Sequence, residues 1–80
     1  MGISDAVRLR LVELLEERNL TINGLSNLAG VTQSTANDFI KGTSSNIGII
    51  TLKKLIDGLD ITITEFFDTE TFKNLEQEIQ

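Results

Sequence analysis

Apolar side chains recur along this chain at helical rather than strand spacing. Val7, Leu11, Leu14 and Leu15 fall at i, i+4, i+7 and i+8, which lays them in one stripe along a helix. Ser4 is a suitable N-cap for that helix, and Asp5 stands in its first turn, where a carboxylate opposes the helix dipole. The first helix is thus predicted from Ser4 to about Asn19, with Leu9 and Val12 off its stripe. A second helix is predicted from Ile22 to Ala29 behind a Thr21 cap, burying Leu25, Leu28 and Ala29. Gly30 stops it in the left-handed conformation that glycine adopts most readily. The third helix follows a Thr32 cap and ends at Gly42. Ala36, Phe39 and Ile40 form its inner face, and Gln33, Ser34, Asn37, Asp38 and Lys41 its outer one.

Residues 42–48 (Gly-Thr-Ser-Ser-Asn-Ile-Gly) form the one long loop, after which Ile49, Leu52, Leu55, Ile56 and Leu59 restore helical periodicity. Thr62 and Glu65 have the spacing of a capping box, in which side chain and backbone cap each other, for a short helix carrying Phe66 and Phe67. Phe72, Leu75 and Ile79 recur at i, i+3 and i+7 in an acidic tail predicted to be helical. The expected architecture is all-α: a five-helix domain over residues 4–68, then an amphipathic helical tail over 69–80.

The segment Ala29-Gly30-Val31 between the second and third helices has the chemistry of a tight helical corner. A small residue stands where the helices meet, a glycine where the chain reverses, and an apolar residue where the corner must be plugged. A helix starting directly after such a corner projects its N-terminal side chains outward. That geometry suits entry into the major groove of DNA, which is wide enough to admit one helix.

Composition narrows the function. The 80 residues include no cysteine and no histidine, which removes disulfides, thiolate zinc sites and imidazole catalysis together. Glu13, Glu16 and Glu17, or Asp57 with Asp60, lack a neutral base or a second ligand type, and no glycines stand at phosphate-loop spacing. The expectation is a protein that is not an enzyme and carries no cofactor or metal. No apolar run approaches the roughly 20 residues of a membrane span, and Gly2-Ile3-Ser4-Asp5 does not open a secretory signal, so a cytoplasmic protein without membrane association is expected. The net charge of -5 is unevenly spread: residues 1–56 carry six basic and five acidic groups, whereas residues 57–80 carry Lys73 against seven carboxylates.

With these elements in place, the stretch from Val7 to Phe67 resembles the Cro/CI (Xre) family of helix-turn-helix transcriptional regulators. The resemblance rests on Leu14 to Thr21, Leu25 to Thr35, Gly42, Thr51 to Leu55, Gly58-Leu59 and Ile63 to Phe67, in that order along the chain. It implies a lambda-repressor-like fold that binds double-stranded DNA, with the third helix reading bases. By position, Gln33, Ser34, Asn37 and Asp38 then face the groove. Thr35, Lys41, Thr43, Ser44, Ser45 and Asn46 lie at or beside the phosphates. The chemistry agrees: Gln and Asn can pair bidentately with adenine and Asp can accept from cytosine N4, while hydroxyls and amides serve phosphates without formal charge.

The chain departs from the family at three places. Ile22 stands where relatives carry a polar residue that anchors the DNA backbone, Thr43 and Ser45 where many carry lysines, and Ile47-Gly48 where a proline and a polar residue are usual. Fewer cations displace fewer counterions, so weak nonspecific affinity is expected. A single copy offers only four or five base-facing side chains, and a homodimer on a pseudo-palindromic site is therefore expected, with Leu9, Val12 and the tail as the leftover apolar surface. The tail can equally lie on the first helix of its own chain. The competing reading keeps the fold but makes it a protein-interaction module, antitoxin-like or regulatory, that engages a partner through its acidic surface. The sequence does not specify a small-molecule effector.

Overall fold

Threonines decide where most of the helices begin. Thr21, Thr32, Thr62 and Thr69 each adopt extended backbone, and each side-chain oxygen accepts a hydrogen bond from the amide three residues on. In the computed structural model, which describes residues 1–79, the helices are α1 (Ile3–Glu17), α2 (Ile22–Ala29), α3 (Gln33–Ile40), α4 (Ile49–Gly58), α5 (Ile63–Phe67) and α6 (Glu70–Lys73). Among the described residues there is no strand, as the all-α expectation requires. The capping box of α5 is complete: the Glu65 amide donates to Thr62 Oγ1 and the Thr62 amide to Glu65 Oε1, both at 3.1 Å.

The first helix begins one residue earlier than Ser4. Gly2 is its N-cap and has no side chain with which to cap, while Ser4 lies inside the helix and its hydroxyl donates to the Ser45 carbonyl. At its far end Asn19 takes φ +51°, a left-handed conformation that asparagine tolerates better than most residues, and the chain turns toward α2.

Leu11, Leu14 and Leu15 of α1 meet Leu25, Phe39, Ile40, Leu55, Ile56, Leu59 and Phe66 in one buried core. Here α2 is central, packing on both α3 and α4. Against α4 the approach is close: a Cβ on Gly58 would lie 3.1 Å from both Ala29 Cβ and Leu25 Cδ1, and 3.2 Å from the Ala29 amide nitrogen. Gly30 turns the chain at φ +69°, Val31 donates to the Ser26 carbonyl at 3.1 Å, and the half-buried Val31 side chain plugs the corner.

Leu28, expected inside, lies outside, and so does Ile49, the first residue of the apolar periodicity of α4. Leu28 is 63% exposed, because Leu25 and Ala29 take the face of α2 that meets α4 and leave Leu28 on its flank. Ile49 is 83% exposed, since it opens α4 at the rim of the core and only Leu52 and the residues after it descend into the interior.

The tail folds back on its own chain, where α6 rests on α1 beside Ala6, Leu9 and Arg10. Phe72 packs edge-on against Phe67, with ring centroids 4.8 Å apart, and lies 6.0 Å from Phe66. The helix is shorter than the apolar spacing predicts. It ends at Lys73, where Asn74 Nδ2 donates to the Glu70 carbonyl, so Leu75 and Ile79 continue no helical face and Ile79 is exposed. Residues 74–79 return toward the N-terminus, whose ammonium pairs with Glu76 at 3.0 Å. The expected tail extends to residue 80, which lies outside the described residues.

Candidate nucleic-acid interface

The left-handed turn at Gly30 and the Thr32 cap set the direction in which α3 leaves α2. Ala36, Phe39 and Ile40 are buried, so the opposite face of α3 is turned to solvent. Gln33, Ser34, Thr35 and Asp38 are exposed on it, and Asn37 is half-buried. The Asn37 side chain bonds back along its own helix: Nδ2 donates to the Gln33 carbonyl at 2.9 Å. The Thr32 hydroxyl donates to Thr35 Oγ1 at 2.7 Å, which leaves the Thr35 hydroxyl hydrogen available to another acceptor.

Beyond α3 the loop is held to the helices at several points. The Ser44 amide donates to the Asp38 carbonyl at 2.9 Å, and the Ser44 hydroxyl to the Asn46 carbonyl at 3.0 Å. Arg8 of α1 donates to the carbonyls of Phe39 and Ser44, while Ser4 holds Ser45. Thr35, Asp38, Ser44 and Asn46 thereby come together along one open groove between α3 and the first turn of α4, with Phe39, Ile47, Gly48 and Thr51 completing its walls. Gln33, Ser34, Lys41, Thr43 and Ser45 are exposed but do not line that groove. Asp38, grouped by position with the base-facing residues, shares it with the loop polar groups.

The electrostatics differ from a simple charge count. Arg10 Nε donates to the Phe66 carbonyl at 2.8 Å and Nη2 to the Glu65 carbonyl at 3.1 Å, so this guanidinium serves the C-terminal end of α5. A cation there is favoured by the carbonyl-rich helix end. Arg8 serves the end of α3 in the same way. Arg18 pairs with Glu17, Lys53 with Asp57, and Lys73 with Asp68 and Glu70. Among the described residues, Lys41 and Lys54 are left without an ion pair, and Lys41 caps α3 beside its exposed face.

Sequence reasoning missed Arg8, Ser4 and Thr51 as parts of this region. The available signal for the arginine was its place beside Val7 and Leu11 at the edge of the apolar stripe, where a long side chain can lie over the core while its head reaches polar partners. Among the described residues no group of three or more His, Cys, Asp or Glu side chains is arranged to hold a metal ion, and no helix is long and apolar enough to cross a membrane.

Residues 10–71 match the profile of the Cro/C1-type HTH DNA-binding domain. The fold is similar to the crystal structure of prophage Lp1 protein 11, with a TM-score of 0.78 and 36% sequence identity over 94% of this chain and 100% of that one. No curated protein matches the chain.

Proposed function

Because the chain belongs to the Cro/C1-type helix-turn-helix DNA-binding family, we propose that it is a sequence-specific regulator of transcription that inserts α3 into the major groove of duplex DNA. The observation that carries this reading is the exposed N-terminal face of α3 beside a loop whose polar groups are tethered next to it. In this reading Gln33, Ser34, Asn37 and Asp38 read base edges. Lys41, Thr35 and the loop groups of Thr43, Ser44, Ser45 and Asn46 take phosphates. Two copies act together in the cytoplasm on a pseudo-palindromic site, with their α3 helices about 34 Å apart on one face of the duplex.

Selection of binding sites from randomised duplexes by mobility shift, at low and at moderate salt, tests the proposal. The expected result is enrichment of a palindromic sequence whose affinity falls with salt. Failure to enrich any sequence at low salt overturns it.

A second reading is supported by the seven carboxylates of residues 57–80 against Lys73 alone, together with the scarcity of unpaired cations. In that case the same fold engages another protein through its acidic surface, and the selection yields no sequence.

A further inference from the structure

The side chain of Arg8 is where α1 grips both halves of the proposed reading unit. Nε donates to the Phe39 carbonyl at 2.7 Å, in the last turn of α3. Nη2 donates to the Ser44 carbonyl at 3.1 Å, in the loop. Nη1 donates to Asp5 Oδ1 at 3.0 Å, which orients the group from its own helix. The guanidinium carbon also lies 4.9 Å from the centre of the Phe39 ring, and the side chain is only 20% exposed.

These contacts need a planar fork. Guanidinium donors point in fixed, different directions and can hold two carbonyls and a carboxylate at once, whereas an ammonium is a compact charge on a flexible stem. The two carbonyls belong to segments that must keep a set spacing if α3 is to sit in a groove while the loop lies on the flanking backbone. From this geometry we infer that Arg8 is a positioning residue for DNA reading. It fixes the loop of residues 42–48 relative to α3 and contacts no phosphate itself. The inference rests on the DNA-binding reading above and deepens it: a cation beside the interface acts inward, on carbonyls, and not outward, on DNA.

Arg8→Lys decides between the two roles. A phosphate contact survives the exchange of one cation for another, whereas the fork does not. The expected result is a melting temperature within a few degrees of wild type and about a tenfold loss of affinity for the selected site. Affinity for nonspecific duplex should stay within about twofold, because it follows charge. In Arg8→Gln the salt slope of binding should match that of wild type. Amide exchange without DNA supplies an independent readout, since the Ser44 amide donates to the Asp38 carbonyl and reports loop closure. It should exchange about tenfold faster in Arg8→Lys, beyond any change in global stability.

Wild-type affinity and wild-type Ser44 exchange in Arg8→Lys overturn the inference. So does a slope flatter by about one unit in Arg8→Gln, which marks a direct phosphate contact. Specific and nonspecific affinity falling in equal proportion also overturns it, because that is loss of folded protein. If the wild-type chain selects no DNA at all, the regulator reading falls, while faster Ser44 exchange still upholds the tether.

Discussion

Asn37 stands one helical turn after Gln33, and its Nδ2 donates to the Gln33 carbonyl at 2.9 Å. One amide hydrogen is thereby engaged, while Oδ1 and the second hydrogen stay available. An acceptor and a donor side by side are what adenine N6 and N7 require. The back-bond favours one rotamer of the amide in the free protein.

Asn37→Asp removes both amide hydrogens and turns an acceptor toward the Gln33 carbonyl. We predict a loss of about 1–3 kcal/mol at one adenine of the selected site and little discrimination there afterwards. Competition with base-substituted duplexes measures it. Gln33→Ala leaves the carbonyl and the Asn37 rotamer in place, and should cost a similar amount at a different base pair. Wild-type affinity in Gln33→Ala would remove that side chain from the reading set.

Lys41 is exposed at the end of α3 and has no ion pair among the described residues. Lys41→Ala should weaken binding to all sequences alike and flatten the salt slope by about one unit. Titration across a range of salt concentrations checks it, and an unchanged slope means Lys41 touches no phosphate.

At Gly30 a Cβ would meet nothing within 4 Å, so the cost of substitution lies in its φ of +69°. Gly30→Val should destabilise by more than about 1 kcal/mol, and Gly30→Asn by clearly less, because asparagine tolerates the left-handed region. Thermal melts of the two variants give the comparison. Equal melts would show that tolerance of the left-handed conformation does not set the cost.

Gly58→Ala faces opposing effects. Alanine favours the helix by up to about 1 kcal/mol over glycine, less at a helix end. Its Cβ would press on Ala29 Cβ and on the Ala29 nitrogen, neither of which can rotate away. Overpacking costs about 1–3 kcal/mol, so net destabilisation of about 1 kcal/mol is expected, visible as a melting temperature lower by roughly 4–8 °C.

Truncation after Asp68 removes Phe72 from Phe66 and Phe67. It should lower stability by about 1–3 kcal/mol through lost apolar burial, and Phe72→Ala should reproduce most of that. Ile79→Ala, at an exposed position, should change nothing. If the tail braces a dimer through α5, truncation also lowers the sedimenting mass and the affinity for the selected site. Unchanged mass and affinity would leave the tail a purely intramolecular clamp.

The parts of this fold legible in the sequence are those governed by local chemistry. Thr21, Thr32 and Thr62 cap helices with bonds to residues three away, and Gly30 turns the chain by its own φ, so each could be read in place. Leu28 and Ile49 were not legible as exposed, because burial depends on which neighbour covers a residue and not on its apolarity. Arg8 and Arg10 bind main-chain carbonyls 31 to 56 residues away, and a carbonyl has no signature in sequence. The tail misled for a related reason: Phe72, Leu75 and Ile79 keep helical spacing, but the chain leaves the helix after Lys73 and turns to the N-terminus, where Glu76 pairs with the ammonium 75 residues away. The polar face of α3 was legible as a face, whereas the bond of Asn37 to the Gln33 carbonyl and the sharing of one groove by Asp38 and the loop required the fold.

The near-contact of Gly58 with Ala29 bears on how this molecule can accommodate a target. Where two helices meet almost backbone to backbone, no layer of adjustable side chains lies between them to absorb rotation, and close-packed interiors transmit displacement instead of damping it. The α2–α3 unit is thus mounted stiffly on α4. With the loop of residues 42–48 tethered to α1 and α3 as well, shape mismatch with a duplex is left to the DNA, so base steps that no side chain touches acquire influence through how easily they deform.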